Sequence, residues 1–225
     1  MMMNNPSLNR PAYATLPQPK PITFLAKVVS YIFHPLFIPT YVAAYLIFKY
    51  PYSFAAFDES QKLLKLLSIF IITAGFPAIT VFLLWRLDFA ESIFLRTQKE
   101  RIIPYVASII YFFWAWWVSR NQLGSPPPLV FFLLGLFISA SAALSFNSYF
   151  KISMHAIGVG GALAFMILLG LSGTEAIGVP LSIATIIAGV VCTARFIVSD
   201  HYPSDVYYGL ALGIASQCVA FWIVM

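Results

Sequence analysis

The 225-residue chain is 60% hydrophobic and 17% aromatic, and only 9% of it is charged, against about 25% in a soluble domain. Its 13 basic and 8 acidic residues cannot clothe a water-soluble globule of this size, and so apolar a chain is equally not a disordered one. The net charge of +5 follows no basic stripe, so nucleic acid is set aside in favour of anionic lipid and a site for an anionic ligand.

Residues 1–24 read as a flexible, Pro-rich tail with Pro6, Pro11, Pro17, Pro19 and Pro21. No small-residue cleavage site follows a short apolar core, so the first apolar segment is expected to double as an uncleaved insertion signal. Residues 25–225 read as one membrane-embedded domain. A hydrocarbon core of about 30 Å takes roughly 20 apolar residues in helix. Long unbroken runs suit helices and not barrel strands. The fold class is therefore all-α, a polytopic transmembrane helix bundle of six to seven spans.

In chain order the predicted spans are Val28–Tyr50, Leu63–Trp85, Ile102–Ser119, Leu129–Phe146, Ile152–Ser172, Ala176–Ile197 and Val206–Met225. Pro35 and Pro39 kink the first or confine its early part to the interface. His34, beside that kink, reads as an interfacial anchor. On the fifth span Ala156 and Gly160 stand four apart, and Gly209-x3-Gly213 opens the seventh. Such rows of small residues let backbones approach closely, so these two helices are expected inside the bundle. Cys192 and Cys218 lie in apolar runs and read as packing residues.

Charge is scarce, but its placement is not random. Eleven of the charged residues, with two of the three histidines, fall in residues 86–101, 151–155 and 195–205. Ionisable groups beside membrane spans are expensive unless wet or paired, so such clusters mark a candidate site. Two spans separate the first cluster from the second, and two more separate the second from the third. An even number of crossings returns the chain to one membrane face each time, so all three clusters can meet.

Helix ends sharpen that picture. Ser153 can cap the fifth span, and Pro203 suits the first turn of the seventh, placing His201 just before it. Helix N-termini favour a bound anion. Two of them, with several Arg or Lys and two histidines, read as a phosphate-handling centre. His201 and Asp205 are four apart, so a carboxylate can hold one imidazole nitrogen while the other attacks. Taken singly, each cluster has a plainer explanation. Arg96, Lys99 and Arg101 fit a basic loop, and His155 fits a polar interfacial residue.

These residues resemble the type-2 phosphatidic acid phosphatase superfamily, whose motifs run Lys-x6-Arg-Pro, Pro-Ser-Gly-His and Ser-Arg-x5-His-x3-Asp. The third is present as Ala194-Arg195-x5-His201-x3-Asp205, with only the leading Ser changed. The second survives as Ile152-Ser153-Met154-His155, keeping Ser and His. The first is poorest: aligned on Pro104, Arg96 stands for Lys and Ile103 for Arg, with Arg101 placed to supply that charge from a shifted position. The resemblance covers roughly residues 90–215.

That resemblance implies a metal-independent lipid phosphate or pyrophosphate phosphatase with no cofactor, working in a cell membrane, in a bacterium the inner one. His201 would become phosphohistidine, Asp205 would orient its imidazole, and His155 would protonate the leaving oxygen and then activate water. Arg195, Arg96, Arg101 and Ser153 would bind the phosphate oxygens. The implied partners are a membrane lipid phosphate and the bilayer, with no nucleic acid and no oligomeric state specified. Two alternatives stand beside this: a transporter whose basic cluster recognises an anion, and a catalytically silent binding protein that keeps the fold.

Overall fold

The computed structural model describes residues 18–50, 53–95, 97–149, 151–173, 177–198 and 202–225. Among them are helices and no strand: α1 (Lys20–Ile32), α2 (Ile38–Phe48), α3 (Glu59–Arg86), α4 (Ile102–Asn121), α5 (Pro127–Asn147), α6 (Met154–Ser172), α7 (Gly178–Val198) and α8 (Pro203–Val224). The six from α3 to α8 are each long and apolar enough to cross a membrane. The chain is a multi-pass helical membrane protein.

The first expected span, Val28–Tyr50, is not one helix. It is the 13-residue α1 and the 11-residue α2, interrupted at residues 33–37. Pro35 lacks the N–H that would continue the α1 ladder, and its ring collides with the preceding turn. Pro39 sits in the first turn of α2, where a missing N–H leaves nothing unpaired. Tyr41 Oη donates to the Ile32 carbonyl at 2.8 Å, satisfying one of the acceptors that α1 leaves at its end.

α3 starts at a reciprocal cap. Gln61 N–H donates to Asp58 Oδ1 at 2.8 Å, and Asp58 N–H donates to Gln61 Oε1 at 3.0 Å. Its middle widens into a π-turn at Ile71–Gly75. Pro77 comes two residues after its end, and a straight α-helix would drive its ring into the Thr73 carbonyl, so the wide turn absorbs the conflict. Thr73 Oγ1 donates back to the Ile69 carbonyl at 2.8 Å.

The centre of the bundle is α5, α6 and α8. Phe165 of α6 meets Phe131 and Phe132 of α5 at ring centroids of 5.0 and 4.9 Å, and Phe131 meets Phe221 of α8 at 5.4 Å. α6 and α8 touch backbone to backbone. A Cβ on Gly160 would lie 2.5 Å from the Leu210 carbonyl oxygen, and one on Gly209 would lie 2.7 Å from that of Ser153. The expected small-residue contact is therefore present. α5 has 56% of its apolar window buried, α6 has 50% and α8 only 33%, because α8 buries its glycine face and turns Tyr207 and Trp222 outward.

The two ends of the bundle differ in chemistry. At one end lie the close of α3, the start of α4, the close of α5, the start of α6, the close of α7 and the start of α8, so the segments bearing the three charge clusters share that end. At the other, Lys65 Nζ is buried and donates to Ser119 Oγ (3.3 Å), Gln122 Oε1 (2.7 Å) and Ser125 Oγ (3.3 Å), tying α3 to the α4–α5 turn.

Candidate active site

The first charged segment is folded onto the bundle by its own side chains. Thr97 N–H, Thr97 Oγ1 and Glu91 N–H each donate to the Glu100 carboxylate at 2.9 Å. These bonds, the Thr97 backbone first, hold that carboxylate below its ordinary pKa. Gln98 Nε2 donates to the Asn147 carbonyl at 2.8 Å, and Asn147 Nδ2 returns a bond to the Gln98 carbonyl at 2.8 Å. The loop is thereby pinned to the end of α5.

Arg101 is buried, 8% exposed. Its Nε donates to the Leu95 carbonyl at 2.9 Å and its Nη1 to the Ile152 carbonyl at 3.3 Å. Leu95 takes a left-handed backbone, φ 47°, which is strained for a leucine and turns its carbonyl toward the guanidinium. Burial lowers the Arg101 pKa, and the nearby Tyr105, Asp205 and Glu100 oppose that shift. At least two of its donors thus brace backbone, joining the first cluster to the second.

The second and third clusters meet through main chain. Ser153 caps α6, its hydroxyl accepting from Ala156 N–H at 3.5 Å. Its own N–H donates to the Asp205 carbonyl oxygen at 3.1 Å. α8 begins at Pro203, as its place in the sequence predicts. Asp205 is buried in that first turn, and its Oδ2 accepts from Tyr202 N–H at 3.1 Å. That main-chain bond sets the N-termini of α6 and α8 side by side, and each helix start carries positive potential.

His155 and Arg195 converge on a residue outside all three clusters. His155 Nε2 lies 3.0 Å from the Ser30 carbonyl oxygen, and a carbonyl only accepts, so Nε2 carries a proton and donates it there. Arg195 Nη1 donates to Ser30 Oγ at 3.3 Å. Next to them stands His34, its ring centroid 5.3 Å from that of His155 at an interplanar angle of 80°. Leu36 N–H donates to His34 Nδ1 at 3.4 Å. Burial first, then the positive charge of Arg195, lowers the His34 pKa from 6.5 to about 4.

Of the residues expected at the site, Arg101, Ser153, His155, Arg195 and Asp205 are brought to one end of the bundle. His201 and Arg96 lie outside the described residues. Sequence reasoning assigned Ser30 no role and placed His34 as an anchor elsewhere. The available signal was Pro35, because a histidine beside a helix-breaking proline can fold back onto the bundle. Among the described residues no group of three or more His, Cys, Asp or Glu is placed to hold a metal ion. No protein-family model, curated protein or solved structure matches the chain.

Proposed function

We propose that this protein is an integral-membrane, metal-independent phosphatase of the type-2 phosphatidic acid phosphatase kind, acting on a lipid phosphate or pyrophosphate. The observation that carries the reading is the run of contacts Arg101–Ile152, Ser153–Asp205 and His155–Ser30–Arg195. It joins three segments far apart in sequence, and these are the segments that hold the motif residues.

In this reading His201 attacks phosphorus, forming an N–P bond as the bond to the lipid oxygen breaks. His155, with its Nε2 proton kept on the Ser30 carbonyl, enters the step as an imidazolium and gives its Nδ1 proton to that leaving oxygen. A water then attacks phosphorus, His155 takes the water's proton, and the N–P bond breaks to release phosphate. Asp205 orients the His201 imidazole and balances its charge. Arg195 and the N-termini of α6 and α8 supply positive potential for the non-bridging oxygens, Ser153 adds a hydroxyl to bind them, and Arg96 adds charge from the first motif. Phosphoryl transfer asks mostly for positioning and charge stabilisation, which suits a site built of helix ends. Arg101 serves by bracing the Leu95 and Ile152 carbonyls. The membrane is a cell membrane, in a bacterium the inner one.

The test is phosphate release from lipid phosphates by detergent-purified protein with EDTA present, beside His201→Ala and His155→Ala. Release by wild type and its loss in both variants is the expected result. Full release by the His201 variant, or none by wild type on any lipid phosphate, overturns the reading.

A further inference from the structure

The interruption of the first apolar segment leaves α2 as a short helix beside two long ones. Between α2, α6 and α7 runs an apolar groove of about 550 Å³. Ile38 and Val42 form one wall, Val159 and Ala162 the second, Ala184 and Ile187 the third. The alanines matter most. Ala162 and Ala184 are both half-buried, and their small side chains leave room where larger ones would close the space.

Two of the three walls belong to helices long and apolar enough to cross a membrane. A polar occupant there would surrender its hydrogen bonds to water, so the groove suits hydrocarbon. Its course also has a direction. Between Ile177 and Ile187 the wall runs about 15 Å at the helical rise. At one end it reaches Lys49 and Tyr50. At the other it starts at Phe33, the neighbour of His34. His155 stands one turn before Val159 on α6, and Arg195 stands about 12 Å beyond Ile187 along α7. An apolar channel that leads to a guanidinium, two imidazoles and a pair of helix N-termini complements an amphiphile with an anionic head.

We infer that this groove seats one alkyl chain of a phosphate-bearing lipid, holding its headgroup at the corner formed by His34, His155 and Arg195. The inference rests on the proposed function for the identity of the headgroup, and binding itself requires no turnover. The chain enters sideways from the bilayer, and any length beyond the groove trails out past Lys49.

The test uses the full chain in phosphatidylcholine nanodiscs and two photoactivatable probes. One is dodecyl phosphate with a diazirine in mid-chain, and the other carries the same chain on a trimethylammonium head. The phosphate probe is expected to label α2, α6 and α7 at the groove about tenfold above the outward faces of α3 and α4, with unlabelled dodecyl phosphate competing. The ammonium probe is expected to label all faces alike. Ala184→Trp should cut groove labelling about tenfold, whereas Ile186→Trp, on the outward side of α7, should not. Even labelling of all lipid-facing helices by the phosphate probe, or equal groove labelling by both probes, overturns the inference. Hydrolysis of dodecyl phosphate is followed in parallel. Release with scattered labelling removes the groove and keeps the phosphatase, and groove labelling without release does the reverse.

Discussion

His34 is neutral at ordinary pH for reasons that can be named: it is buried, Arg195 repels a second positive charge, and its Nδ1 already accepts the Leu36 N–H. A histidine whose pKa falls on folding stabilises the protein fully above its unfolded value and progressively less as pH drops to its folded one. Stability is therefore expected to fall between about 6.5 and about 4. Thermal unfolding in detergent across that window should show a flatter profile for His34→Gln than for wild type. Equal slopes would remove His34 from the set of groups that matter. Its neighbour Ser30 shows what sequence cannot reveal at this scale. A serine in an apolar helix is ordinary, and its value here comes from a carbonyl and a hydroxyl that happen to face His155 and Arg195.

Helices were readable because crossing hydrocarbon forces long apolar runs, and their caps were readable because Ser153 and Pro203 are residue types that start helices. The break at residues 33–37 followed from Pro35 for the same reason. The π-turn before Pro77 did not announce itself, since a proline in a membrane helix can be absorbed by a kink, a turn or a neighbour. Close packing of α6 on α8 was legible in Gly160, Gly209 and Gly213, while the deeper burial of α5 was not, because a uniformly apolar helix has no polar face to reveal its orientation. Gly213 gives the sharpest test at this level. A Cβ there collides with the Ile157 carbonyl and lies 2.7 Å from Gly161 N, whereas a Cβ on Gly189 meets nothing within 4 Å. Gly189→Ala should leave stability unchanged or raise it by about 0.5–1 kcal/mol. Gly213→Ala should lower it by about 1–3 kcal/mol, read as a lower unfolding temperature in the same detergent. Equal effects from the two would mean that the helices do not approach through these glycines.

At the scale of the molecule, the parity of spans and the contact run agree that the charged segments share one end. Cysteine accessibility tests this without reference to any reaction. With Cys192 and Cys218 replaced, a membrane-impermeant maleimide applied to sealed vesicles should treat Glu91→Cys and Ser148→Cys alike. It should treat Leu123→Cys and Ser172→Cys as the opposite pair. Labelling of one member from each pair without permeabilisation would break the topology. The candidate site was legible as three motif-bearing clusters, because charge so scarce in an apolar chain is conspicuous wherever it gathers. What escaped was the contribution of the first apolar segment, which reaches the site only because it fails to be a single span. The central claim remains the covalent step at His201, and trapping it is the most direct measurement. Wild type and His155→Ala are mixed with a lipid phosphate labelled at phosphorus, quenched in denaturant at alkaline pH, and the protein-bound label is counted. The account predicts a base-stable, acid-labile phosphoenzyme that is mapped to His201, is absent from His201→Ala, and both forms and decays more slowly in His155→Ala. Phosphate release by wild type with no phosphohistidine in either protein, or label on any other residue, would contradict it.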